Sequence, residues 1–305
     1  MRLGDVAWFR TDWQRGGAAT GRSTWRDDDG AELPVVVKLP VPHRELDWTR
    51  SLQVTVDDAA ARTAACVPRL FAGDHRINGY DMAWLVIEDL PVGPLGMKWH
   101  DDHIPRMAEA LAEFHAGALR ARPVDAKPRI ENWTALLTRA ASAVRRNELA
   151  ESERWLQLIQ SVEARLDGLV DLWRARSVDG WIHGDAHLAN AMSRVAIDHG
   201  PVCLIDLAEV RAGSWIEDAI YLERMLWARP QRLAVCSPVT AIAEARRSRG
   251  LPVDDDAAIL ADIRRILLAV TAPAFLHTEG HPAHLAACLD QAEAAIERVD
   301  GAIGT

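Results

Sequence analysis

The sequence has no stretch approaching the roughly 20 apolar residues of a membrane-spanning helix, and its start, MRLGDVAWFR, lacks the apolar run of a secretory signal. It has only four cysteines, Cys66, Cys203, Cys236 and Cys288, scattered and without a C-x-x-C pair. That setting suits buried, reduced thiols better than a bridge framework. There is no basic excess either: 35 Lys and Arg stand against 44 Asp and Glu, a net charge of -9. A broad nucleic-acid partner is therefore not expected, because such partners select basic surfaces. Internal repeats and low-complexity tracts are absent. These absences predict a cytoplasmic globular protein with neither a membrane nor a nucleic-acid partner, and the 305 residues suffice for one large domain or two lobes.

What is present changes character along the chain. The first ninety residues read as β-rich. RSTWR, the turn-former DDDG and ELPVVVKL predict one hairpin, and RLFAGDHRI and MAWLVIEDL flank Asn78-Gly79, a strong signal for a second. Between them DDAAARTAAC, residues 57–66, reads as a helix ending before Pro68. Pro91, Gly93, Pro94 and Gly96 then mark a lobe boundary. Beyond it helices dominate. Ile104, Met107, Leu111, Phe114 and Ala118 share one helical face. ESERWLQLIQSVEARLDGLVDLWRA reads as one long helix, with more over 214–229, 239–249, 255–270 and 284–298. One β island, WIHGDAHLANAMSRVAIDHGPVCLIDL, interrupts them. Residues 1–90 thus form a predicted small lobe and 91–305 a larger helical one, an α+β organisation.

GGAATGRS, residues 16–23, approaches a P-loop. A P-loop needs a lysine where Arg22 stands, and a helix where this chain continues strand, turn, strand. A glycine-rich turn between strands can instead cover a nucleotide with its backbone N–H groups. Strand alternation then puts Val36 and Lys38 on one face, and a lysine ending a buried apolar strand needs an anionic partner.

The most specific stretch is WIHGDAHLANAM. It holds His183-Gly184-Asp185 with Asn190 five residues after the aspartate, a pattern arising by chance on the order of once in a thousand such sequences. VCLIDL follows, an apolar strand ending at Asp206. A turn at Asp198-His199-Gly200 makes the segment a hairpin, with residue 206 across from about residue 192. Asn190 and Asp206 then project from the same open end.

These residues resemble the catalytic core of the aminoglycoside phosphotransferase and choline kinase-like family, a small-molecule branch of the protein-kinase-like fold. The resemblance covers most of the chain, and the loop HGDAHLAN is its specific part, with glycine where protein kinases carry the arginine of H-R-D-x-x-x-x-N. It implies a bilobal protein-kinase-like fold and transfer of the γ-phosphoryl of ATP to a hydroxyl of a small polar molecule. It implies roles as well. Gly16, Gly17 and Gly21 would form the nucleotide loop, and Lys38 would hold the α/β-phosphates. Backbone groups of Glu88 and Leu90 would meet the adenine edge, with Val36 over its face. Asp206 and Asn190 would hold Mg²⁺. Asp185 would orient the acceptor hydroxyl and take its proton, and His183 would brace the loop. Asp218 would buttress it. Glu45, Asp57 and Asp58 are each candidates to pair with Lys38. The acceptor, an aminoglycoside, an amino alcohol or a sugar, would be cationic if the acidity of the chain matters to it. A protein kinase and a catalytically silent nucleotide-binding scaffold are the alternatives.

Overall fold

Asp27 folds the chain back on itself between two strands. Its side chain accepts from the N–H groups of Asp29 and Ala31 at 3.1 and 2.8 Å, and Gly30 turns the corner at φ +84°. The strands so joined are β2 (Ala19–Arg26) and β3 (Glu32–Val41), preceded by β1 (Ala7–Arg10). The second hairpin joins β4 (Leu70–Ile77) to β5 (Tyr80–Glu88). Asn78 and Gly79 lie there at φ +49° and +85°, the positive pair that a two-residue hairpin turn requires. This is a computed structural model, and it describes residues 2–11, 17–53, 65–196 and 200–303. The strands form one antiparallel sheet in the order β1-β2-β3-β5-β4.

The sheet is apolar on both faces. Val35, Val37 and Val86 pack with Val6, Trp25 and Phe71 on one side. Val36 packs with Val41, Leu46, Leu85 and Ile87 on the other, the face that strand alternation also gives to Lys38. Leu46 comes from α1 (His43–Ser51), a short helix absent from the sequence expectations. The helix expected over 57–66 falls almost wholly on residues 54–64, outside the described residues.

Helix α2 (His103–Ala121) buries the expected stripe, with Ile104, Met107, Leu111, Phe114 and Ala118 all solvent-inaccessible. The β island forms β6 (Gly180–Ile182) and a short hairpin of β7 (Ala191–Ser193) and β8 (Val202–Leu204). Its register pairs Met192 with Cys203. This corrects the expectation that residue 206 lies across from 192: Asp206 lies beyond the end of the ladder. The turn that should have fixed the register holds Asp198 and His199, which are outside the described residues.

By compactness the chain divides elsewhere than after residue 90. One unit is Met1–Asp125 with Gly180–Arg211, and the other is Ala126–Asp179 with Ala212–Thr305. The physical reason lies in bonds that tie the β7–β8 hairpin to the sheet. Ser193 and Val92 exchange backbone hydrogen bonds at 2.7 and 3.2 Å, and Leu204 N–H donates to Cys66 O at 2.7 Å. The Arg194 guanidinium grips the Glu88 carboxylate at 2.8 Å and the carbonyls of Ala65 and Val67.

The second unit is helical: α3 (Trp133–Arg146), α4 (Ser152–Glu163), α5 (Leu166–Ala175), α6 (Trp215–Arg224), α7 (Pro238–Ser248), α8 (Ala257–Val270) and α9 (Pro282–Ile303). The single long helix expected over 151–175 is two, α4 and α5. The apolar series Trp155, Leu158, Ile159, Val162, Leu166, Leu169, Val170, Trp173 keeps helical spacing across the break, so periodicity could not show it. Helix α3 was also missed, although Asn132 caps it by accepting from Ala135 N–H at 3.0 Å. Trp133, Trp155, Trp173, Trp215 and Trp227 are buried core in this unit. Among the described residues no helix is long and apolar enough to cross a membrane.

Candidate active site

The site is built from the loop after β6. His183 is fully buried and ties two segments together. Its Nδ1 accepts from Asp185 N–H at 3.3 Å, and its Nε2 meets Ile205 O at 3.1 Å. An acceptor at Nδ1 and a donor at Nε2 define the neutral Nε2–H tautomer. Gly184 follows at φ +81°, and a Cβ there would collide with the Arg211 guanidinium and the Glu209 carbonyl. The glycine of H-G-D is therefore a steric requirement of this loop, and an arginine has no room.

The turn then brings Asn190 back onto Asp185. Asn190 Nδ2 donates to Asp185 Oδ2 at 2.8 Å and to Asp185 O at 3.1 Å. The Asn190 carbonyl accepts from Ile205 N–H at 3.0 Å, which sets Asp206 directly beside it. Asp206 itself adopts left-handed backbone, φ +65° and ψ +66°. A non-glycine residue there stores strain on the order of 1 kcal/mol or more. Its carboxylate is half exposed, with Oδ1 4.0 Å from Lys38 Nζ.

Lys38 has a second and closer partner. Its Nζ pairs with Glu45 Oε1 from α1, and both side chains are largely buried. Of the three acids weighed for this pairing, Glu45 makes it, while Asp57 and Asp58 lie outside the described residues. Burial pushes the Glu45 carboxyl above its ordinary value of 4.5, with Asp206 adding to the rise, while Lys38 opposes it.

Four residues far apart in sequence, Lys38, Asp185, Asn190 and Asp206, thus belong to one connected arrangement within the first unit. Other expected residues are placed differently. Gly16 lies outside the described residues, and Gly17 directly precedes β2. Gly21 is inside β2, opposite Val37, and a Cβ there would meet Val6 and Trp8. Packing explains this glycine without any phosphate. Val36 faces the apolar cluster as expected. Glu88 N–H is taken by Arg69 O at 2.9 Å, so its amide does not serve a base edge; Leu90 is buried.

The family described as APH, phosphotransferase enzyme family, matches residues 14–236, well over half of the chain. The chain belongs to this phosphotransferase family. No curated protein matches the sequence. Solved structures share the phosphotransferase's fold. An aminoglycoside phosphotransferase from Alicyclobacillus acidocaldarius is 18% identical, with TM-score 0.53 over 92% of this chain and 87% of the other. A microcompartment-associated aminopropanol kinase is 14% identical, with TM-score 0.54 over 95% and 90%. Choline kinase from Cryptosporidium parvum is 10% identical, with TM-score 0.51 over 98% and 90%. At such identities the likeness is one of fold: the expected α+β, protein-kinase-like architecture.

Sequence reasoning did not single out His187, Met192 or Asp89. His187 Nε2 lies 3.5 Å from Asp185 Oδ2, two positions along the same loop. Met192 is half-buried between the buried Ala191 and Ser193 and packs against Gly93. Asp89 joins β5 back to β2, accepting from Arg22 Nε at 3.0 Å. The first could have been read from its spacing to Asp185. The other two depend on contacts that no local pattern encodes. Asp218, in the second unit, is fully buried in the first turn of α6.

Proposed function

We propose that this phosphotransferase is a small-molecule kinase that moves the γ-phosphoryl of ATP, with Mg²⁺, to a hydroxyl of a small polar acceptor. One observation carries the reading. Asp185 is held by Asn190, and Asn190 is held against the strand that presents Asp206 to Lys38. A chain that needed only a folded loop would have no use for an exposed, strained aspartate facing a buried lysine.

In this reading Lys38, oriented by Glu45, holds the α/β-phosphates. Asp185 accepts a hydrogen bond from the acceptor hydroxyl and takes its proton as the new O–P bond forms and the bond to the departing ADP breaks. Asn190 keeps the Asp185 carboxylate aimed, and His183 keeps the loop closed from beneath. Val36 covers one face of the base. Because the Glu88 amide is committed to Arg69 O, Leu90 is left to offer its backbone to the base edge. Positioning and charge neutralisation provide most of the rate in such chemistry, since the transition state is loose and strongly anionic.

The donor set fits Mg²⁺. Asn190 commits its Nδ2 to Asp185 and is left with Oδ1, and Asp206 brings a carboxylate, so both offered atoms are hard oxygens. Among the described residues there is no cluster of three or more His, Cys, Asp or Glu suited to a metal. Mg²⁺ is commonly held by one or two protein oxygens together with the phosphates themselves rather than by a protein cage. The ion would neutralise charge on the phosphates.

The acceptor class is read from the net charge of -9 and from solved structures named as aminoglycoside, aminopropanol and choline enzymes. Amine-bearing alcohols and sugars are the first compounds to try. An ATP-consumption screen over aminoglycosides, amino alcohols and neutral sugars tests the proposal. Asp185→Asn is expected to lower turnover by about 10²–10⁴-fold while nucleotide binding persists. Full turnover in that variant would remove Asp185 from the mechanism. Phosphorylation of a generic protein substrate in place of every small molecule would favour a protein kinase. No stabilisation of the wild type by ATP and Mg²⁺ would favour a silent scaffold.

A further inference from the structure

The face of the sheet that carries Lys38 also carries a second cation. In the β2–β3 register Thr20 lies opposite Lys38 and Arg22 lies opposite Val36. Two residues along a strand are about 6.6–6.8 Å apart, so Arg22 stands one such step from the Lys38 row, towards residues 88–90. Its side chain points there as well. Nε donates to Asp89 Oδ2 at 3.0 Å, and the guanidinium carbon lies 5.2 Å from the centre of the Phe9 ring. Next to it on this face are Val36 and its partner Ile87.

Packing does not account for this arrangement. The Arg22 side chain is 65% exposed and Phe9 is 59% exposed. An exposed ion pair contributes little to stability, and an aromatic ring left in water gains nothing from burial. What the set does provide is a flat cation, fixed at one end by a carboxylate and backed by a ring, beside a small apolar floor. A guanidinium plane stacks on aromatic faces. Its place differs from that of Lys38, the residue read as the phosphate contact: Arg22 stands one two-residue step along the sheet, beside the segment 88–90.

We propose that Arg22, held by Asp89 and Phe9, walls the nucleotide-base end of the site and lies with its guanidinium on the face of a purine. The inference rests on the nucleotide reading above and adds to it a cationic base contact that neither Val36 nor the segment 88–90 supplies.

Calorimetric titration of the wild type, Arg22→Met, Arg22→Lys and Asp89→Asn with MgATP and MgCTP tests it, with melting temperatures measured alongside. Methionine keeps the bulk and removes the plane and charge; lysine keeps the charge alone. Arg22→Met is expected to weaken ATP about tenfold, and the smaller ring of CTP about threefold, at unchanged melting temperature. Arg22→Lys should recover only part of the loss, and Asp89→Asn should weaken ATP by about threefold. Wild type that binds no nucleotide would sink the nucleotide reading itself. Wild type that binds ATP, with Arg22→Met binding it equally well, would overturn this inference alone. Equal losses for ATP and CTP, fully restored by lysine, would also overturn it, because they describe a contact to phosphate.

Discussion

Each unit of the molecule buries an ion pair. In the first, Lys38 meets Glu45, and a half-exposed third charge, Asp206, lies 4.0 Å from the lysine. In the helical unit Arg176 meets Glu217 at 2.9 Å, with both side chains 4% exposed. Arg176 also donates to Trp173 O at 2.7 Å and lies 4.1 Å over the Trp173 ring. Glu217 completes a capping box with Ser214 at the start of α6. The helical pair turns its bonds inward, to Trp173 O and to the start of α6, and leaves Arg176 Nε buried without a partner. The Lys38 pair meets water on one side and keeps an anion waiting beside the ammonium. A buried pair enclosed among protein groups holds a fold together, whereas one with a half-exposed third charge beside it is available to a ligand.

The comparison breaks most visibly if the enclosed pair is cut. Arg176→Met leaves Glu217 buried without its cation and should cost about 3–5 kcal/mol, read as a lower denaturant midpoint, with turnover per folded molecule kept. Lys38→Met should do the reverse. Turnover is expected to fall by about 10²–10³-fold, as when one preorganised electrostatic contact is removed, while stability changes by about 1 kcal/mol or less. The stranded Glu45 carboxyl, already raised by burial, can take a proton. Equal stability losses in the two variants would erase the distinction between the pairs.

Gly184→Ala sharpens it further. The added methyl meets Glu209 and Arg211 at a positive φ, so a cost of about 1–3 kcal/mol is expected, with activity lost through displacement of Asp185 rather than of Lys38. Nucleotide affinity should hold while turnover falls.

The smallest effect is a slope. Because the folded Glu45 carboxyl is raised above 4.5, the native state retains a proton that the unfolded chain has already released. The stabilisation from this group is then complete below pH 4.5 and is lost as pH rises through the folded value. Urea unfolding of wild type and Glu45→Gln across this range should show the variant lacking that decline. Parallel curves would mean that Glu45 titrates alike in both states.

Much of this site was legible beforehand, for reasons that differ from residue to residue. Asp185 and Asn190 share a short loop whose spacing is itself the signal. Lys38 and Val36 were placed on one face because a strand alternates, and the turns at Asp27–Gly30 and Asn78–Gly79 were written in residues that tolerate positive φ. The choice of Glu45 was not legible, since α1 is short and its glutamate competes on paper with two aspartates. Nor was the loss of the Glu88 amide to Arg69, because that bond depends on how two hairpins meet. The break between α4 and α5 was hidden by an apolar spacing that runs through it.

The sequence by itself determined the hairpins, the α2 stripe, the motif around Asp185 and the order of the charged residues along the chain, because each depends on neighbours within a few positions. Tertiary structure alone decided which acid meets Lys38, how far the β7–β8 hairpin is shifted, and that Arg22 reaches Asp89. Those are through-space choices among chemically equivalent groups, and only the packed sheet brings one of them within bonding distance.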